Sequence, residues 1–243
     1  MHPKERTHNL LNKALNFISQ SQLPDGSFPG YAWKPSGQTL EVDTIFATVV
    51  ILTALHATEF PKIYTQTIQK ALMFLSKEQN SNGSFNYWKK DSPYFTQLGY
   101  PNDLDDTALA LACYSLYKEG GFSGKDMADI AKILTSVEIK EGGPYNTWLC
   151  EFRNSKRWED IDIGVNANIA YMLSTLGIEL PGLTEFFERT IEEGTYRSAY
   201  YLSPIVLLYY LSRAYNGPLR EQARGFLKRF QGASGTFHSP HLS

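Results

Sequence analysis

The sequence predicts an all-α fold in which outer and inner helices alternate around a ring, an α/α toroid. Three observations carry this expectation. A Gly-small-aromatic tripeptide recurs along the chain, amphipathic helical segments alternate with segments that are apolar on every side, and no stretch shows the two-residue alternation of a half-buried strand.

The segments follow in order. An outer segment at 7–20 leads to Gly26-Ser27-Phe28, and an inner one at 42–57 opens at Asp43. The second outer segment, 62–79, starts after Pro61 and leads to Gly83-Ser84-Phe85; its inner partner, 103–119, opens at Asp103. The third pair is 125–138, followed by Gly143-Pro144-Tyr145, and 162–177, which opens near Asp160. The fourth is 182–193, begun by Pro181 and followed by Gly194-Thr195-Tyr196, and 198–215. A fifth outer segment, 218–231, starts at Pro218 and leads to Gly235-Thr236-Phe237. The tripeptides are spaced 57, 60, 51 and 41 residues apart, and Gln22, Gln79 and Gln231 each stand four residues before a glycine.

A helix polar on one face belongs outside, and one apolar all round belongs inside. Proline and aspartate suit helix starts, and the glycines suit helix stops. Residues 1–243 read as one domain of this kind, with too few residues after Phe237 for a fifth inner helix. The ring is therefore expected to be closed by a second domain or a protein partner. In such a ring the inner helices run parallel, so one mouth gathers Asp43, the acids at 103–106 and 160–162, and Tyr200 and Tyr201.

Composition narrows the function classes. The 23 Lys and Arg balance 25 Asp and Glu, a formal net charge of −2, so there is no overall basic field to hold a nucleic acid. Two cysteines, Cys113 and Cys150, support neither a disulfide framework nor a four-cysteine zinc site and fit a reducing, cytoplasmic setting. The N-terminus shows no secretory h-region, and the longest apolar run, Ile45 to Leu55, is too short to span a bilayer; contact with a membrane surface stays open. Aromatic residues make up 14% of the chain, enough to line a pocket as well as a core.

The sharpest local feature is Pro101-Asn102-Asp103-Leu104-Asp105-Asp106-Thr107-Ala108, three carboxylates in four residues opening an apolar helix. Acids in a first helical turn can simply cap free N–H groups. One aspartate suffices for that, and three together repel one another unless one is protonated or a cation intervenes.

Asp103-Leu104-Asp105-Asp106-Thr107-Ala108 resembles the DxDD-T-A motif of class II terpene cyclases, the squalene–hopene and diterpene cyclase superfamily. The Gln-x-x-x-Gly-Ser-Phe loops are similar to that family's QW repeats, with Phe or Tyr in place of the usual Trp. The resemblance implies an α/α barrel and a protonation-initiated cyclisation of a linear isoprenoid without any required cofactor. It implies that Asp105 is the proton donor and that Asp103 and Asp106 hold and polarise it. The chemistry agrees, because an alkene is a very poor base and its donor must stay neutral until used and be shielded from water. The positive end of the helix favours ionisation, so burial and neighbouring carboxylates must outweigh it.

A carbocation also needs walls that attract charge without attacking it, and aromatic faces provide them. Candidates in the mouth loops are Trp88, Tyr94, Tyr100, Tyr145, Trp148 and Trp158, with Tyr31, Trp33, Tyr87 and Phe95 beside them. Asp162, Asn166 and Asn168, on the third inner helix, are candidates to hydrogen-bond the acid or place a water, or else to cap the helix and satisfy buried groups. His56 lies 13 residues beyond Asp43, about 20 Å along a helix, and belongs to the opposite mouth. The remaining histidines are terminal and no Asp-x-Cys pair exists, so no metal ligands are assigned.

Lys89, Lys90, Arg153 and Arg157, with Lys34, Lys156 and Arg197, fall in or near the mouth loops. They favour a diphosphate head group, which would bring magnesium with it, over a neutral triterpene. A single domain also favours a shorter chain such as farnesyl or geranylgeranyl diphosphate, with the diphosphate retained. Two alternatives remain open: a non-catalytic barrel that binds an isoprenoid or a protein, and a carbohydrate-active α/α enzyme working through paired carboxylates.

Overall fold

Among the described residues, helices alternate as the hydropathy pattern requires. The structure, a computed structural model, describes residues 3–33, 36–58, 65–117, 121–150 and 158–232. Outer helices are α1 (Pro3–Ser21), α3 (Thr65–Glu78), α6 (Gly124–Val137), α8 (Pro181–Glu193) and α10 (Arg220–Lys228). Inner helices are α2 (Phe46–His56), α5 (Leu104–Tyr117), α7 (Ile163–Thr175) and α9 (Pro204–Ala214), and a short α4 spans Pro93–Leu98. The expected Gly235-Thr236-Phe237 loop lies outside the described residues.

The chain folds as two compact units, one of residues 1–79 and 86–100, the other of 80–85 and 101–243. In the first unit, Leu15, Phe28, Val49, Leu52, Ala71 and Leu75 are buried together with the apolar faces of α1, α2 and α3. In the second, α5, α6, α7, α8 and α9 share one core that includes Leu104, Ile133, Ile169, Met172, Phe187 and Leu207. Each large aliphatic side chain so buried contributes about 1.5–3 kcal/mol relative to exposure.

The repeated tripeptide has one conformation in its first three copies. Gly26, Gly83 and Gly143 have φ of 98°, 89° and 99°. Each donates its N–H three residues back, to the carbonyls of Leu23, Asn80 and Lys140. These glycines therefore close a turn beyond the helix end and are not its stop; the glycine of the fourth tripeptide, Gly194, does cap its helix directly, in the left-handed conformation after α8. At Gly26 a β-carbon would also sit 2.3 Å from the Lys70 carbonyl oxygen, so no other residue fits.

In these three copies the aromatic residue is buried, and its N–H is taken up by the next inner helix. Phe28 donates to Thr48 Oγ1 at 3.0 Å, Phe85 to Thr107 Oγ1 at 2.9 Å and Tyr145 to Asn166 Oδ1 at 2.8 Å. A buried backbone donor left unpaired costs about 1–3 kcal/mol, so a polar side chain recurs at this point of otherwise apolar helices.

Several expected boundaries shift. The first inner helix starts at Phe46, and its N-cap position is Ile45 with no side-chain cap; Asp43 does not cap it, and its carbonyl accepts from Lys89 N–H. Asp162, not Asp160, caps α7, accepting from the N–H groups of Gly164 and Val165. Helix α9 starts at Pro204 with Ser203 as its cap, six residues later than the hydropathy suggested, because Pro204 pre-sets the first turn.

Short strands also occur. Strands β1 (Gly30–Trp33) and β2 (Thr39–Val42) form an antiparallel hairpin, and β3 (Asn102–Asp103) pairs with β4 (Trp148–Leu149). They escape the periodicity test because β2 is exposed on both faces and the other pair is two residues long.

Candidate active site

The acid motif is held in place by the repeat loops on both sides. Asp103 donates its N–H to the Phe85 carbonyl at 3.2 Å and pairs in register with Trp148, while Leu104 N–H reaches the Thr147 carbonyl at 2.7 Å. The second and third loops thus fix the point at which α5 begins. From there Asp103 caps the helix, its Oδ1 accepting from Asp106 N–H at 2.8 Å.

Helices α5 and α7 run parallel. Asp105 and Asn168 meet near their starts, and Ser115 bonds the Thr175 carbonyl near their ends. The loop before α9 joins the same end, where Ser198 Oγ and Ala199 N–H both bond Asp162 Oδ2. This brings Asp103, Asp105, Asp106, Asp162, Asn168 and Tyr201 into one neighbourhood within the second unit.

The three acids differ in surroundings. Asp103 and Asp106 are buried, and one oxygen of each, Asp103 Oδ2 and Asp106 Oδ1, is enclosed without a hydrogen-bond partner. Burial pushes Asp106 well above the usual carboxylate range, and the charges of Asp103 and Asp105 add to it. Burial raises Asp103 to about 7, against the helix-capping bond from Asp106 N–H. Of this pair Asp106 is raised the more, while its backbone N–H supports the charged form of Asp103.

Asp105 is half-buried, and its side-chain partners come from α7 and from the loop before α9. Its Oδ1 accepts from Asn168 Nδ2 at 2.7 Å, and its Oδ2 bonds the Tyr201 hydroxyl. Burial raises it to about 6, the Tyr201 and Asn168 bonds oppose the rise, and the Asp162 charge across the site adds to it. The field of the helix start does not prevail over burial. Below about pH 6 this carboxyl carries a proton that it holds more loosely than its buried neighbours hold theirs.

Four features of this centre were not among the sequence candidates. Gly164 leaves room for Tyr201: a β-carbon there would sit 2.6 Å from the tyrosine ring. Tyr210 packs edge-on to Tyr201 with ring centroids 5.0 Å apart. Arg213 donates to Asn168 Oδ1 at 2.7 Å. Its guanidinium lies 4.2, 4.8 and 4.9 Å from the ring centroids of Tyr171, Tyr209 and Tyr210. A lone arginine in the apolar segment Pro204–Ala214 was the available signal.

The other candidates divide. Asn166 is fully buried and spends its amide on Tyr145 N–H, the Tyr145 carbonyl and the Asp162 carbonyl; it anchors the third loop and has no group left for a substrate. Tyr145 is a core residue whose hydroxyl reaches Glu138. Trp148 packs at a tilt against Trp158, with ring centroids 4.7 Å apart, and donates to the Tyr200 hydroxyl, which in turn bonds Asp160 Oδ2 at 2.9 Å. This aromatic group stands beside the acid motif through the β3–β4 pairing.

In the first unit Trp88 packs with Tyr94 and Tyr100, at centroid distances of 4.8 and 6.4 Å. Lys89 is buried, its ammonium bonded to Asp25 and Ser27, and Lys90 bonds the carbonyls of Lys77 and Gln79 at the end of α3. Both lysines, expected near a diphosphate, are thus engaged in holding the first loop and the end of α3. Arg153 and Arg157, with Lys34 and Lys156, lie outside the described residues, as does the side chain of Trp33. Among the described residues no group of three His, Cys, Asp or Glu side chains is arranged to hold a metal ion. No helix among them is long and apolar enough to cross a membrane.

Neither a family model nor a curated relative matches the sequence. Solved structures do. Three structures of variants of the type II terpene cyclase MstE from Scytonema superpose with TM-scores of 0.70, 0.68 and 0.68 at 14%, 15% and 14% identity. They match 99% of this chain and 69%, 69% and 70% of their own. Two of them hold geranylgeranyl dihydroxybenzoate as substrate and the third holds merosterolic acid A as product. The chain therefore has the α/α-barrel fold of the type II terpene cyclases, the fold class expected from the alternation of outer and inner helices.

Proposed function

We propose that this protein is a class II cyclase that protonates a linear isoprenoid and lets its double bonds close rings. Asp105 is the donor in this reading, and Asp103 and Asp106 hold it. The carrying observation is the Asp105 carboxyl, half-buried at the start of α5, raised to about 6 and held by Tyr201 and Asn168. The fold shared with MstE supports it.

The step balances without a cofactor. The Asp105 O–H bond breaks, its electron pair stays on oxygen, and the π pair of the terminal alkene forms the new C–H bond. The cation on the adjacent carbon is attacked by the next double bond, and loss of a proton from the last cation ends the sequence. The product is an isomer of the substrate.

A 20-carbon chain is the proposed substrate size, supported by the geranylgeranyl group on the substrate held by MstE. For the head group we propose a retained diphosphate, for which Arg197, exposed before α9, is the candidate cation among the described residues once Lys89 and Lys90 are accounted for. The test is incubation with farnesyl diphosphate, geranylgeranyl diphosphate or geranylgeranyl dihydroxybenzoate, followed by mass-resolved chromatography. Cyclic isomers of unchanged mass that disappear in Asp105→Asn are expected. Unchanged linear substrate in every arm, with folded protein, would overturn the reading for these chains, and cyclic product from geranylgeranyl dihydroxybenzoate alone would overturn the diphosphate.

A further inference from the structure

Asn168 stands between two groups with fixed hydrogen-bonding sense. On one side is Arg213, whose guanidinium has only donors. Its Nη2 lies 2.7 Å from the Asn168 amide, so the amide atom facing it must be the oxygen. The amide's NH2 then faces Asp105 Oδ1, at 2.7 Å. An NH2 group only donates, so that oxygen of Asp105 must accept.

Arg213 is well held for this task. Its guanidinium lies over the rings of Tyr171, Tyr209 and Tyr210, which fix its plane and compensate its charge. It also stands at the proton-donor end of the site. A linear isoprenoid protonated at its terminal alkene keeps its anionic head at the far end of the chain, so Arg213 is poorly placed to bind that head.

The other oxygen of Asp105 meets a different partner. Tyr201 hydroxyl can give or accept a hydrogen bond, and it has Tyr210 as a second partner when Asp105 holds its own proton. One carboxyl oxygen is thus restricted to accepting, and the other is free to carry a proton.

We propose that Arg213 is a positioning residue that locks the Asn168 amide with its NH2 toward Asp105 Oδ1, so that the proton delivered to the substrate is carried on Asp105 Oδ2, the oxygen beside Tyr201. The inference rests on the reading of Asp105 as the proton donor, but its geometry can be tested without substrate. If Arg213 is lost, the amide is free to turn its oxygen toward Asp105, which favours the protonated carboxyl and weakens the acid.

The test follows the Asp105 carboxyl by infrared spectroscopy of the full chain across pH, with Asp105→Asn subtracted to isolate its band. The other groups facing Asp105 are Asp103 and Asp106 around the start of its own helix, Asp162 at the start of α7, Tyr201 in the loop, and Tyr210 on α9. All of them stay in every variant. Arg213→Met is expected to raise the Asp105 midpoint by about one pH unit, a tenfold change in proton affinity. In an Asn168→Ala background the same substitution is expected to add little. A shift of equal size in both backgrounds would show that Arg213 acts through its charge alone and would overturn the positioning role.

Should Arg213→Met fail to fold, the wild-type protein still decides. The Asn168 side-chain amide signals, assigned by their loss in Asn168→Ala, are expected to move with the Asp105 midpoint and to stop moving in Asp105→Asn. Amide signals indifferent to Asp105 would overturn the proposal. Because neither readout needs turnover, an inactive protein that passes both tests would count against the proposed substrate and not against the Arg213 lock.

Discussion

Asp106 donates its backbone N–H to the carboxylate of Asp103 across 2.8 Å, so the residue that caps the helix faces the most strongly protonated group of the motif. Two buried carboxyls share a site that accommodates about one charge, and this has a consequence for stability.

An acid whose folded-state pKa is raised binds its proton more tightly when folded. Its contribution is complete below the unfolded value near 3.8 and is lost as pH rises through the folded value, about 6 for Asp105 and about 7 for Asp103. Thermal unfolding of the full chain is therefore expected to show a Tm that falls between about pH 4 and pH 7. Asp106→Asn, which keeps the shape and removes the need for a proton, should flatten that fall. At about 2–4 °C per kcal/mol the change is within reach of a melting curve.

Tyr201→Phe removes a donor to Asp105 Oδ2. The carboxylate form loses support, so the Asp105 pKa should rise above about 6 and the pH limit of activity should move up with it. The weaker acid should also turn over more slowly, by about tenfold or more. A pH–rate profile of cyclisation separates the two effects.

Gly164→Ala should act on the same bond from a distance. The added carbon would fall 2.6 Å from the Tyr201 ring and push it off Asp105. The expected result is the Tyr201→Phe pH profile in a protein whose own catalytic groups are all present, checked by comparing the two profiles.

Asn166→Ala and Asn168→Ala should fail in different ways. Asn166 holds the third loop through Tyr145 and is fully buried, so its loss leaves unpaired backbone groups at about 1–3 kcal/mol each. Denaturant titration should register that. Asn168 is equally buried but spends its amide on the side chains of Asp105 and Arg213, so Asn168→Ala should shift the Asp105 midpoint as well as lower stability, whereas Asn166→Ala should leave that midpoint in place.

Much of this arrangement was legible in the chain. Periodicity distinguished outer from inner helices because burial of one face or of all faces leaves a direct trace in hydropathy. The glycines of the first three loops were visible because a φ near 90° is a conformation that residues with a β-carbon rarely adopt. The acid motif stood out because three adjacent carboxylates at the start of an apolar helix are electrostatically costly. Helix starts at α2 and α9 were less legible, since a cap or a proline moves a boundary without changing the apolar pattern around it.

The sequence by itself thus determined the helical repeat, the loop turns and the place of the acids in the repeat, all of which depend on residues near one another in the chain. Tertiary structure alone decided that Asn168 faces Asp105 while Asn166, two residues earlier, is spent on a loop. It also decided that Tyr201, already expected at the same mouth, bonds the acid itself, and that Arg213, 108 residues away, reaches it through Asn168. The physical reason is that burial and hydrogen bonding act through space. A carboxyl's proton affinity depends on which donors and charges the folded chain brings within a few ångströms, and those partners leave no local signature around Asp105.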